Sequence, residues 1–269
     1  MHLSTLCAFI FLGSSFLSLW IRRDPKIWGT LLGLSMLMGF ISGNILLIGL
    51  LFLIGLLLLW IFYDRKPNFA LFITLICASI GFHLHLFPGY PPFLFTPKFA
   101  IGLQGSLIGL FPLAFFVPLA RSKQDWKEVM KGFLIGCAGI ALLAILATIG
   151  GVTHWQFKLP SFAAARILSN FILTSIPEEG FFRGFVQKTL SETFKNRMPG
   201  KILALILTSV LFTATHIYWS PNLEILAFVF LASLLYGSVY LISGKIESAI
   251  LCHFLLNLIH MTFFSYHAM

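Results

Sequence analysis

The stretch ILLIGLLFLIGLLLLWIFY, residues 45–63, decides the fold class. It contains no charged side chain, and about 20 such residues cross the ~30 Å hydrocarbon core of a bilayer as a helix. In hydrocarbon a helix satisfies every backbone donor and acceptor internally, which an irregular segment cannot do. The rest of the chain agrees. Of 269 residues 58% are hydrophobic and only 10% charged, Phe alone occurs 30 times, and the mean hydropathy is +0.94. Soluble domains carry roughly 25% charged residues, so the composition excludes a soluble enzyme, a disordered tail and a nucleic-acid-binding module. The formal charge of +9 then reads as membrane topology.

Working outward from 45–63, apolar stretches recur at about 2–21, 27–41, 69–87, 100–119, 133–152, 162–187, 201–218, 222–242 and 246–266. The expected fold is all-α, a polytopic transmembrane helical bundle of about ten spans. Eight is the alternative, because 27–41 is short and meets the next span at the turn-forming Ser42-Gly43-Asn44. Residues 88–99, with Pro88, Pro91, Pro92, Pro97 and Gly89, read as a Pro-rich interfacial loop. The first apolar segment has no basic residues before it and is followed by Arg22 and Arg23, which fits a retained helix with its N-terminus outside. Counted that way, 14 of the 18 cations fall in odd-numbered loops, against Lys98 and Lys158 in even-numbered ones. That bias is the positive-inside pattern, and it places both termini outside. The loops 120–131 and 187–201 read as solvated and cytoplasmic. Cys7, Cys77, Cys137 and Cys252 form no CxxC pair and read as small packing residues.

Polar chemistry gathers in the last third. An ionisable side chain within a span costs about 2.5–3.5 kcal/mol on insertion scales, so each one raises a functional question. Asp24, Asp64, Asp125, Glu128, Glu192 and Glu247 lie in or beside loops, and Glu224 sits at an outer helix end. Glu178 and Glu179 are adjacent inside the seventh span, with Arg183 one turn on. Glu179 and Arg183 are i,i+4 and share a face, whereas Glu178 points about 100° away. His253 and Asn257 are likewise i,i+4. Pro177 removes a backbone donor just before the acidic pair and should loosen the helix. At 1.5 Å per residue, Glu178–Glu179 and His253 lie roughly 12 and 10 Å from the cytoplasmic helix ends, but His216 roughly 22 Å. His83, His85 and His260 read as hydrogen-bonded packing residues.

Glu178-Glu179-Gly-Phe-Phe-Arg183, Phe212-Thr-Ala-Thr-His216 and His253-Phe-Leu-Leu-Asn257 read as EExxxR, FxxxH and HxxxN. In this order they resemble the three motifs of the CPBP family, the CAAX proteases and bacteriocin-processing enzymes also called Abi. The resemblance covers residues 161–266 and divides the chain into 1–160, N-terminal helices of unassigned role, and 161–269, a catalytic transmembrane core. It implies an intramembrane glutamate-type endopeptidase without a required cofactor. Glu178, aided by His216, would activate water; Glu179 and Arg183 would orient; His253 and Asn257 would donate to the oxyanion; Phe212 would pack the wall. A zinc site on Glu178, His216 and His253 is the competing chemistry, although the HExxH pairing of zincins is absent.

The implied partners are the bilayer and a protein or peptide with a membrane-associated C-terminal segment, and no nucleic acid. The implied location is multi-pass in the inner or plasma membrane of a prokaryote. A proton- or cation-coupled transporter and a non-catalytic immunity protein of the same fold remain as alternatives.

Overall fold

The computed structural model describes residues 2–97 and 99–266; Lys98, counted above among the outer-loop cations, lies outside them. The quoted stretch forms α3 (Leu47–Arg65), whose Leu51, Ile54, Leu58 and Phe62 are exposed along one side while Leu53, Leu56 and Trp60 are buried on the other. Large apolar side chains facing outward along a whole helix are what a lipid solvent permits and water does not. Among the described residues six helices are long and apolar enough to cross a membrane: α1 (Leu3–Ile21), α3, α6 (Lys123–Ile149), α10 (Met198–Thr215), α11 (Leu223–Ser243) and α12 (Ile246–Phe263). The protein is a helical integral membrane protein.

The first compact unit comprises Met1–Val117 with Ile172–Glu178. Here α1 packs on α2 (Pro25–Ile41), with the Ser35 hydroxyl donating to the Ala8 carbonyl at 2.7 Å and that of Ser15 to the Trp28 carbonyl at 2.8 Å. Asp24 caps α2 and Asn68 caps α4 (Phe69–His83).

The span expected over 100–119 takes another form. Strand β1 (Phe93–Thr96) pairs antiparallel with β2 (Phe99–Ile101), and only Leu107–Phe115 is helical, as α5. Nine residues rise roughly 14 Å, too short to cross, and Leu107, Ile108, Leu110, Phe111 and Leu113 have no exposed surface. Its apolarity serves the protein interior: Trp28 meets Phe111 and Phe115 edge-on, at 6.4 and 5.8 Å. Of the Pro-rich loop expected over 88–99, residues 88–92 lack regular structure, while Phe93–Thr96 is strand β1 and Phe99 opens β2.

The second unit comprises Pro118–Phe171 with Glu179–Met269. The expected solvated loop 120–131 is largely helical, because Ser122 and Asp125 form a reciprocal capping box that starts α6 at Lys123. Asp125 also pairs with Lys245. Glu247, read as loop-side, is 4% exposed in the first turn of α12, where its carboxylate accepts the Ala120 N–H at 2.7 Å. Helix α6 lies against α11 and α12 through Gly132, Gly136 and Gly139. A Cβ at these positions would come within 2.7 Å of Ser248, 2.0 Å of Cys252 and 2.4 Å of Leu235. Small residues three and four apart let helices approach closely in lipid, where apolar burial no longer drives association. Cys252 is the one cysteine buried outright among the four, all of them free thiols. Strand β3 (Thr153–Trp155) pairs antiparallel with β4 (Phe264–Tyr266).

From Ala163 to Thr193 the chain is one interrupted helical run: α7 (Ala163–Ser169), a π-helical stretch Asn170–Ser175, α8 (Ile176–Phe181), a second π stretch Phe182–Gln187, and α9 (Lys188–Thr193). The expected loosening at Pro177 is seen directly. Pro177 cannot bond the carbonyl four residues back, at Leu173, and the Ser106 hydroxyl of the same unit donates to it instead, at 3.1 Å. Gly109 on α5 backs onto Pro177 so closely that a Cβ would fall 2.2 Å from its backbone. Gly109→Ala must therefore move α8 or α5. It is expected to lower stability by about 1–3 kcal/mol, the usual overpacking cost, read as a drop in the unfolding temperature of the detergent-solubilised protein. An unchanged unfolding temperature would contradict the close approach.

Candidate active site

The two π stretches flank α8, the six-residue helix that carries both glutamates. π turns inside helices are uncommon and occur often where side chains must be re-aimed. Glu178 is 7% exposed and Glu179 fully buried, as is Arg183 in the second π stretch.

The expected Glu179–Arg183 pair forms, with Nη1 donating to Oε1 at 3.0 Å. Its surroundings exceed what the spacing foretold. The same Oε1 accepts from His253 Nδ1 on α12 at 2.8 Å. Arg183 Nη2 donates to both the carbonyl and the hydroxyl of Ser233 on α11, at 2.8 and 2.7 Å. The guanidinium lies over the rings of Phe212 and Tyr236, 4.8 and 5.4 Å from their centroids. Tyr236 in turn stacks on the His253 imidazole, 4.8 Å apart and 11° from parallel. One buried carboxylate thus anchors a cation and an imidazole while α11 covers the assembly.

The hydrogen bonds assign protons. A carboxylate only accepts, so His253 Nδ1 carries a hydrogen and its Nε2 is the nitrogen left for chemistry. His216 Nδ1 lies 2.8 Å from the Phe212 carbonyl. A carbonyl also only accepts, so the neutral His216 has a bare Nε2, an acceptor able to take a proton.

His216 sits at the C-cap of α10, not within a span running to 218, and α10 begins at Met198, earlier than expected. Packing nevertheless brings His216 and His253 against one ring. The Phe212 ring lies 4.5 Å from His216 and 6.0 Å from His253, and Phe182 meets it edge-on at 5.0 Å. Phe212, expected to pack the pocket wall, is buried against these rings. Asn257 is half-buried one turn beyond His253 on α12.

Ser233 and Tyr236 were missed in the sequence, where α11 appeared to offer only Glu224. The signal was present: Ser233, Tyr236 and Gly237 interrupt a Leu/Val-rich helix at i, i+3 and i+4. Gly237 accepts from Gln187, one turn after Arg183, at 3.1 Å. Among the described residues no group of three or more His, Cys, Asp or Glu side chains is arranged to hold a metal ion.

Residues 160–259 match a family model described as Type II CAAX prenyl endopeptidase Rce1-like. The match agrees with the CPBP resemblance in both family and extent. No curated protein and no solved structure matches the chain.

Proposed function

We propose, from the match of residues 160–259 to the Rce1-like CAAX endopeptidase model, that the protein is an intramembrane endopeptidase. It would cut a protein or peptide near a membrane-associated C-terminal segment, in the plasma membrane of a prokaryote with both termini outside. The observation that carries the reading is the fully buried Glu179 carboxylate shared by Arg183 and His253. Holding two cationic or donor groups on one acceptor is wasteful as helix glue, since burying such a network gains little stability over apolar packing. It is economical as a device that fixes an imidazole.

In this mechanism Glu178 removes a proton from water, and the oxygen attacks the scissile carbonyl carbon. His216 Nε2, bare in the tautomer set by Phe212, accepts the second hydrogen of that water and aligns it. The developing oxyanion is held by the Asn257 amide and by His253. Because His253 already gives its Nδ1 hydrogen to Glu179, donation from Nε2 requires the imidazolium form in this mechanism. Glu178 then passes its proton to the leaving amine as the C–N bond breaks. Glu179, Arg183 and Ser233 touch no reacting atom and act by positioning.

The test is mass spectrometry of membrane peptides from cells with and without the protein, followed by assay of the purified enzyme on the peptides that differ. Cleavage is expected to persist in full after treatment with a strong chelator. Loss of activity that added zinc restores would overturn the metal-free mechanism, and identical peptide profiles would overturn the peptidase reading itself.

A further inference from the structure

A cavity of about 480 Å³ opens within the first unit, away from every motif residue, lined by His85, Phe87, Tyr90, Gln104 and the prolines of the 88–92 loop. Its walls are held in place. Gly89 backs onto Gly49 of α3 at a distance no side chain would allow, and its carbonyl accepts the Leu46 N–H at 2.8 Å. The Tyr90 hydroxyl donates to the Gly49 carbonyl. Phe87 is wedged against Phe52 and Phe82, with centroids 4.8 and 4.9 Å away.

The polar lining has a defined direction. Gln104 is 1% exposed and donates through Nε2 to the Phe87 carbonyl at 3.0 Å. Its Oε1 must therefore be the atom facing His85 Nδ1 at 3.1 Å, and Nδ1 must carry the hydrogen. In the neutral form of this exposed imidazole, Nε2 is then an acceptor at the cavity. His85 adopts a left-handed backbone, φ 56°, a conformation that non-glycine residues hold only where the surroundings impose it. Pro88, Pro91 and Pro92 have carbonyls but no N–H, so this stretch of the wall is rich in acceptors and poor in donors. Phe87 and Tyr90 bring aromatic rings to the lining, groups whose π systems attract a cation.

We infer that this cavity binds a primary ammonium group, which donates to His85 Nε2 and rests on the aromatic walls. Leu86 and Leu94 stand beside it, 65% and 62% exposed, where the chains of an aminophospholipid would run if its headgroup were the source. A small soluble amine is the other source of the same chemistry. Neither depends on the peptidase reading.

The full-length protein in nanodiscs containing equal phosphatidylethanolamine and phosphatidylcholine of matched chains would be released and its retained lipids counted by native mass spectrometry. Phosphatidylethanolamine is expected at least about fivefold over phosphatidylcholine, whose trimethylated nitrogen cannot donate. His85→Phe and Gln104→Leu are each expected to erase that preference. Displacement by millimolar ethanolamine would identify a soluble amine as sufficient; resistance to it would identify the lipid. Equal retention of the two lipids by the unaltered protein would overturn the inference without any variant. So would a preference unchanged in His85→Phe.

Discussion

Glu178→Gln is expected to remove peptide cleavage, by about 10²–10⁴-fold, the range a positioned general base contributes, while the protein continues to fold. Glutamine keeps the shape and the hydrogen-bonding reach of glutamate but cannot accept a proton from water. The Arg183 and His253 bonds run to Glu179 and the Arg183–Ser233 bonds to α11, so they are expected to survive the substitution. The measurement is cleavage rate of a membrane peptide identified as above, paired with the unfolding temperature in detergent. Cleavage at an undiminished rate would remove Glu178 from the mechanism. A protein that cleaves nothing in either form, yet loses a proton-coupled transport signal in Glu178→Gln, would replace the peptidase with the transporter alternative.

The second large effect is structural. Arg183→Met is expected to destabilise the protein by about 3–5 kcal/mol, the cost of leaving a buried carboxylate without its partner. Arg183 has no exposed surface and spreads its donors over Glu179 and Ser233, so no water replaces what is lost. Arg183→Lys restores the charge but not the planar fork, which must reach two elements at once, and should recover only part of the loss. The double substitution Arg183→Met with Glu179→Gln removes both charges and should be more stable than Arg183→Met alone. Thermal unfolding of the unaltered protein, Arg183→Met, Glu179→Gln and the double substitution forms a double-mutant cycle. A double substitution no better than the single one would mean that Glu179 does not bear the charge that Arg183 neutralises.

Much of the site was legible because it is written in helical spacing. Glu179 and Arg183 four residues apart, and Glu178 turned about 100° away, follow from 3.6 residues per turn whatever the helix packs against. The consequence of Pro177 was equally local. What spacing could not supply is the bond from His253 to Glu179, 74 residues apart, or that from Arg183 to Ser233, 50 residues apart. The misread span at 100–119 has a related cause: a nine-residue helix buried in protein and a longer one in lipid are both apolar on every side, and apolarity cannot tell the two solvents apart.

By itself, the sequence determined that this is a helical membrane protein, that its ionisable groups gather on a few late helices, and which of them share a face. Those properties depend on composition and on the geometry of a single helix. Only the tertiary structure decided that α11 covers Arg183, that Ser106 takes the carbonyl Pro177 leaves open, and that α6 closes on α12 through Gly132 and Gly136. In water, an apolar stripe would have marked the inward face of each helix. In lipid every face can be apolar, so the inward side is chosen by small residues and hydrogen-bonding groups whose partners lie far away in the chain.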